Sequence, residues 1–321
     1  MRIVILDSTT ANPGDLSWDF LKKYGELTVY DRTLTDDLVI ERARDAEIVI
    51  LNKTVISRRA VEALPKLRLI ALLATGYNVI DCDACSEHGV LVANVPSYSR
   101  FAVAQQTIAF SLEFANRLAA HSDAVLRGDW VNCADFSFAL SPLFELKGKT
   151  LGVIGYGDIG RKVAEIARAF EMRVLVNTAH PEKYPGAPVE FLPLDALLPQ
   201  CDFVSLHVPM TPATDKLVNA AFLAKMKDGA FLINNARGGE LNEADVAAAL
   251  NSGKLGGLGA DVLSTEPPKA DNPLLTAKNA LITPHIAWAS FDTRARLMGI
   301  LEQNIAAFLA GRPQNIVNRT L

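Results

Sequence analysis

Cysteine, histidine and long apolar runs are scarce in this chain, and each scarcity removes a class of answer. Its 321 residues hold four cysteines, Cys82, Cys85, Cys133 and Cys201, and five histidines. So few cysteines exclude a disulfide scaffold and point to a reducing, cytoplasmic setting. Cys82-x-x-Cys85 has no second Cys/His pair at zinc-ligand spacing and lies in a segment read as helix over 80–87, so no metal is expected. No charge-free stretch approaches the roughly eighteen apolar residues of a membrane helix. Met1-Arg2-Ile3-Val4-Ile5-Leu6-Asp7 has a strand-length apolar run, without the hydrophobic region of a secretory signal. One-sided charge is missing too. A formal balance of -4 gives no reason to expect nucleic acid or an acidic membrane as a partner.

What is present is globular: 50% of residues are hydrophobic and 21% charged, in a chain long enough for about two domains. Apolar runs over 2–6, 27–30, 47–51, 68–73 and 90–93 read as strands, with helices near 16–24, 35–44, 57–64 and 80–87. Such alternation predicts a parallel sheet covered on both faces. Asn94-Val95-Pro96-Ser97 breaks the pattern, and a long apolar helix begins at Ser99. Further strands are expected at 150–154, 173–176, 201–206, 230–234, 256–260 and 280–283, with helices near 214–226 and 242–252. A last helix, 290–310, is expected to pack back on the first domain. The expected architecture is therefore α/β, with two doubly wound parallel-sheet domains and a cleft between them. Residues 1–97 with 289–321 form one, and 98–288 form the other.

The strongest local signal follows the strand Thr150-Leu151-Gly152-Val153-Ile154. Gly155-Tyr156-Gly157-Asp158-Ile159-Gly160 is a glycine turn that opens a helix, and a second strand ends at Asn177. Gly155 permits the turn, Gly157 lets a pyrophosphate approach the backbone, and Gly160 allows close helix–strand packing. Phosphates would meet free N–H groups at the positive end of the helix. Folds that take NAD usually end the second strand on Asp or Glu. Asn177 can still bond a ribose hydroxyl, does not repel a 2′-phosphate, and has His180 and Lys183 nearby, so NAD and NADP both stay open.

Three ionisable residues follow strands of this second domain: Arg237, Glu266 and His285. Singly, each has an ordinary structural explanation. Together they meet the needs of a carbonyl reduction by a nicotinamide, which leaves negative charge on oxygen and calls for a proton donor and a fixed cation. His285 can donate, Glu266 can orient its ring, and Arg237 can hold a carboxylate with its planar fork.

These motifs, in this order, resemble the D-isomer-specific 2-hydroxyacid dehydrogenase family across nearly the whole chain. The resemblance takes in Asn235-Ala236-Arg237-Gly238-Gly239, Asp261-Val262-Leu263-Ser264-Thr265-Glu266-Pro267, Pro284-His285-Ile286-Ala287-Trp288 and the stretch from His207 to Thr214. It implies a flavodoxin-like substrate domain and a Rossmann dinucleotide domain, with Arg237, Glu266 and His285 on the catalytic positions. Thr178, His207, Val208, Pro209, Thr214, Asn235, Ala236, Asp261 and His285 would join Asn177 and residues 155–160 on the cofactor side. Thr75 and Gly76 fall on the loop that holds the substrate carboxylate, beside Arg237 and His285. Lys53 and Arg100 are either polar substrate contacts or solvated surface charges. Within the family, Asn52-Lys53-Thr54, Asp135-Phe136-Ser137-Phe138 and His285-Ile286-Ala287-Trp288 look most like glycerate dehydrogenases and hydroxypyruvate reductases, acting on hydroxypyruvate or glyoxylate.

Two departures temper the match. Asn177 replaces an acidic residue, and Gln105 stands where many members have Glu. A regulatory domain is not expected beyond Leu321, which argues against a regulated phosphoglycerate dehydrogenase. D-lactate-type activity remains an alternative, as does a dinucleotide-sensing protein like the C-terminal-binding-protein corepressors, although an intact Arg, Glu and His set weighs against the latter. The resemblance also implies a homodimer, formed through the helix after Ser99 and the loop around Trp130.

Overall fold

The computed structural model describes residues 1–318, and the chain divides into two compact units. The first comprises Met1–Ser99 and the segment from Trp288 onward, and the second Arg100–Ala287.

The first unit is built on β1 (Arg2–Ile5), β2 (Glu26–Val29), β3 (Ile48–Leu51), β4 (Leu69–Leu72) and β5 (Leu91–Ala93), all parallel, in the order β2-β1-β3-β4-β5. β3 and β4 are buried at every position, so both faces of the sheet must be covered. Three helices follow strands, and each starts on a side chain that accepts a backbone N–H. They are α1 (Asp36–Ala43) on Thr35, α2 (Arg58–Glu62) on Ser57 and α3 (Cys82–Glu87) on Asp81. The opposite face is covered by the helix Phe291–Leu309, whose Leu297, Leu301 and Ile305 pack fully buried among Ile3, Ile5, Ile48, Ile50 and Leu69. Each such side chain contributes about 1.5–3 kcal/mol. A helix expected over 16–24 is instead a short 3-10 segment, Asp19–Tyr24. It ends at Gly25, where a Cβ would strike the Met1 carbonyl.

The second unit begins with α4 (Arg100–Asn116), so Arg100 belongs here rather than to the first unit, with its guanidinium over the Phe101 ring. The long helix breaks at Arg117, which adopts a left-handed φ of 50°, and resumes as α5 (Leu118–Leu126). Next come β6 (Thr150–Ile154), α6 (Asp158–Ala169), β7 (Arg173–Asn177), β8 (Glu190–Phe191), α7 (Leu194–Leu197), β9 (Phe203–Leu206), α8 (Ala220–Lys225), β10 (Ala230–Asn234), α9 (Glu243–Ser252), β11 (Leu255–Ala260) and β12 (Ala280–Ile282). Their parallel sheet runs β12-β11-β10-β9-β6-β7-β8, so the strand order reverses beside β6. Ligands of doubly wound sheets bind outside the carboxyl ends of the strands at such a point.

Helix α8 is much shorter than the expected 214–226. The Thr214 hydroxyl donates to the Pro209 carbonyl and folds the preceding segment into a turn, Lys216 takes a φ of 46°, and Asn219 caps the helix by accepting from Ala221 and Phe222. β8, only two residues long, carries no periodicity that a sequence reading can find.

Helix α4 lies against glycines of β11. A Cβ on Gly257 would stand 2.5 Å from Phe114, and one on Gly259 2.6 Å from Phe110. Gly259→Val should therefore cost about 1–3 kcal/mol through overpacking. Urea unfolding checks this, and an unchanged midpoint would contradict the packing account.

Candidate active site

Asn234, the last residue of β10, is fully buried, and its amide shapes the turn that follows. Its Oδ1 accepts from the Ala236 N–H at 2.9 Å, and its Nδ2 donates to the Arg237 carbonyl at 2.8 Å. Arg237 is thereby presented as an extended, exposed residue whose guanidinium also donates to the Ala236 carbonyl. Asn235 turns inward, where its amide meets the Thr107 hydroxyl at 2.9 Å. Gly238 has no room for a side chain, because a Cβ would land on the Leu263–Ser264 peptide. The Arg237 turn is thus pressed directly onto the loop that follows β11.

That loop starts with Asp261, which is 2% exposed. Its carboxylate accepts from the Ile286 and Ala287 N–H groups, each at 2.8 Å, and from the Thr283 hydroxyl at 2.6 Å, while its carbonyl accepts from the His285 N–H at 2.9 Å. These four bonds hold the loop after β12. They keep His285 at a φ of 55°, a left-handed conformation that costs a non-glycine residue about 1–2 kcal/mol. In that setting Nδ1 of His285 lies 2.6 Å from Oε2 of Glu266, and Oε1 of Glu266 accepts from the Leu263 N–H at 3.2 Å. The carboxylate fixes Nδ1 as the protonated nitrogen and leaves Nε2 to face a reactant. Glu266, His285 and the Arg237 turn are therefore joined through the 263–264 backbone.

The dinucleotide loop sits at the end of β6. Gly155 has a φ of 95°, and a Cβ there would strike the His207 carbonyl, so His207 and Val208 flank the turn. A Cβ on Gly160 would strike the Gly155 carbonyl, which makes that glycine a packing requirement. Gly157 differs. Its φ is an ordinary -74° and a Cβ would meet nothing within 4 Å, so the protein's own atoms give no reason for glycine there. It is also the N-cap of α6, with no side chain bonded to the helix's first N–H groups. Open space beside an uncapped helix start fits a bound pyrophosphate.

Other residues expected on the cofactor side take definite structural roles. Tyr156 is buried edge-on against Tyr184 and Phe191, so only its backbone faces the loop surface. Asp158 pairs with Arg161 at 2.5 Å. Asn177 donates its amide N–H to the Leu192 carbonyl at 3.0 Å, with Thr178 beside it partly exposed. His207 bonds the buried Ser205 hydroxyl through Nε2 at 3.0 Å, its Nδ1 is buried without a partner, and burial holds its pKa far below the usual value.

In the first unit, three backbone N–H groups, from Asn52, Lys53 and Thr54, converge on the buried carboxylate of Asp7 at 2.6–2.8 Å and leave the Lys53 side chain exposed. Burial still raises the Asp7 pKa, against the pull of those N–H groups. Thr75 follows β4, where its hydroxyl donates to the Val95 carbonyl and its own carbonyl accepts from Asn94, fixing the course of the chain into Gly76.

Comparison with known proteins agrees with this geometry. Residues 108–287 match the NAD-binding domain model of the D-isomer-specific 2-hydroxyacid dehydrogenases, and the chain is 47% identical to a hydroxypyruvate reductase of Blautia hydrogenotrophica over 99% of its own length and 100% of that protein's. The chain belongs to this dehydrogenase family. It is also 36% identical to a glycerate dehydrogenase of Methylorubrum extorquens, with 98% of each chain covered. Among solved structures, an acyclic imino acid reductase in complex with NADPH and D-Arg matches with a TM-score of 0.87 and 28% identity, over 99% of this chain and 100% of that one. This D-2-hydroxyacid dehydrogenase is accordingly an NAD(P)-dependent oxidoreductase acting on CH–OH donors, a 2-oxo acid reductase in the reverse sense.

The two glycines of the loop give a matched test. Gly157→Ala should leave the melting temperature within about 1–2 °C but weaken NADH binding roughly tenfold or more, whereas Gly160→Ala should destabilise the fold itself. Nucleotide titration by fluorescence with parallel thermal melts distinguishes them. Unimpaired binding by Gly157→Ala would remove the pyrophosphate from that space.

Proposed function

We propose that the enzyme reduces hydroxypyruvate or glyoxylate to D-glycerate or glycolate. The observation that carries the chemistry is the 2.6 Å contact between His285 and Glu266, on a loop linked to the Arg237 turn. The hydroxypyruvate reductase and glycerate dehydrogenase names of relatives covered over almost their whole length support the substrate choice.

When bound, the reduced nicotinamide supplies the hydride to the 2-carbonyl carbon. His285 gives the proton on Nε2 to the carbonyl oxygen, and Glu266 stabilises the imidazolium before transfer. Arg237 binds the carboxylate and steadies the negative charge growing on the neighbouring oxygen. Lys53, Thr75 and Gly76 are further candidate substrate contacts, a reading that rests on the family resemblance. On the cofactor side, residues 155–160 would hold the pyrophosphate, with Asn177 and Thr178 near the adenosine ribose. His207, Val208, Pro209, Thr214, Asn235, Ala236 and Asp261 would line the remainder. With the Asn177 amide turned to Leu192, no carboxylate guards against a 2′-phosphate, so we assign use of NADPH as well as NADH.

Alanine at His285 should lower kcat by about 10²–10⁴-fold, and alanine at Arg237 should lower kcat/KM at least as much, with nucleotide affinity preserved in both. Steady-state rates with hydroxypyruvate, and chiral analysis of the product, test this. Wild-type turnover in both variants, or L-glycerate as product, would overturn the assignment.

We also assign a cytoplasmic homodimer. α5 and the loop after it expose Leu126 (82%), Val131 (88%) and Phe136 (91%), large apolar side chains that a second copy would cover. Light scattering should give about twice the 34.7 kDa chain mass, and Phe136→Asp with Leu126→Asp should halve it. A monomeric wild type would contradict the assignment.

A further inference from the structure

Glu240 is fully buried, and neither oxygen of its carboxylate has a hydrogen-bond partner. It lies three residues beyond Arg237, in the same turn. Its N–H donates to the Arg237 carbonyl at 3.3 Å, the group that the Asn234 amide also holds, and its own carbonyl accepts from Val218 at 2.9 Å. The neighbouring Gly239 carbonyl accepts from Lys216 at 2.9 Å, so the turn is pinned on both sides of the acid. An unpaired buried carboxyl is expensive to keep, and the reduction described above makes no use of it.

Charges on the surrounding segments are few. Asp215 and Lys216 belong to the exposed turn before α8. Glu243 of α9 is taken up by Ser264 and Asn272, and Asp245 accepts from the Ala220 N–H. The charge that acts on Glu240 is Arg237, whose N–H and guanidinium both favour ionisation, although the N–H falls outside hydrogen-bond geometry. Burial outweighs them and pushes the carboxyl up to about 7.

We propose that Glu240 is a positioning residue for Arg237, its buried carboxyl taking up one proton as Arg237 engages the carboxylate of the substrate. This rests on the reading of Arg237 as the carboxylate clamp. The physical reason is competition. Ionised Glu240 and the substrate carboxylate both draw on one guanidinium, and a bound anion beside Glu240 disfavours its charged form. Linkage makes the effect reciprocal: binding promotes protonation, and deprotonation weakens binding.

The sign for stability follows from the same group. Below the unfolded carboxyl's pKa of 4.5 both states carry the proton and this contribution is present in full. Between 4.5 and about 7 the folded state retains a proton that the unfolded state has lost, so this contribution declines as pH rises and is gone above about 7. Glu240→Gln removes it, so its melting temperature should gain on wild type as pH increases.

The deciding experiment is calorimetric binding of oxamate, a 2-oxo acid analogue whose amide carbonyl is not reduced, to the NADH-saturated enzyme. It is run in buffers of different ionisation enthalpy, from about pH 6 to about pH 8.5, on wild type, Glu240→Gln and Arg237→Ala. Wild type should take up protons at the alkaline end and lose roughly five- to tenfold in affinity across the range. Glu240→Gln should take up up to one proton fewer and lose less affinity. Arg237→Ala binding oxamate as wild type does would overturn the clamp reading and the proposal with it. Lost binding in Arg237→Ala, with Glu240→Gln matching wild-type proton uptake, would overturn the proposal alone. Should Glu240→Gln fail to fold, absence of alkaline proton uptake by wild type has the same force.

Discussion

The loop that carries His285 depends on one buried carboxylate. Asp261 spends its oxygens on the Ile286 and Ala287 N–H groups and the Thr283 hydroxyl, and its carbonyl on the His285 N–H. That set of bonds, with the Thr283 carbonyl, which also accepts from the His285 N–H, holds His285 in a left-handed conformation with its ring on Glu266. The strain is local and the restraint comes from the end of a neighbouring strand, so His285 inherits the rigidity of the sheet.

Close approach of backbone segments is the second constraint. Gly238 lets the Arg237 turn lie on the Leu263–Ser264 peptide, and Gly155 and Gly160 let the start of α6 close on β6 and the His207 strand end. Each contact brings loops from two strands within range of one another, and each is lost if a Cβ is present. Gly157 stands apart because a Cβ there would meet nothing within 4 Å, so packing does not account for its glycine.

Much of this was legible in the sequence. Apolar runs marked nearly every strand of both sheets, because parallel strands buried on two faces have no polar positions to blur them. Arg237, Glu266 and His285 were singled out because they follow strands, and the dinucleotide loop because its glycines fall between a strand and a helix. The supporting residues were not. The loop-holding bonds of Asp261 were not foreseen, and Asp7, Asn234 and Glu240 were not singled out at all, since their roles depend on partners far away or on burial. Helix lengths failed for a similar reason. A left-handed Lys216, a Thr214 hydroxyl bonded to Pro209 and an Asn219 cap shorten α8, and none of these disturbs the apolar pattern.

The central claim is that this site reduces small 2-oxo acids, and the most direct measurement is oxidation of NADH and of NADPH, followed by absorbance, with hydroxypyruvate, glyoxylate, pyruvate and phenylpyruvate offered in turn. The account predicts fast turnover of hydroxypyruvate or glyoxylate, with NADPH accepted because Asn177 presents no carboxylate to its 2′-phosphate. Silence across all four acids, from protein that binds the nucleotide, would contradict it.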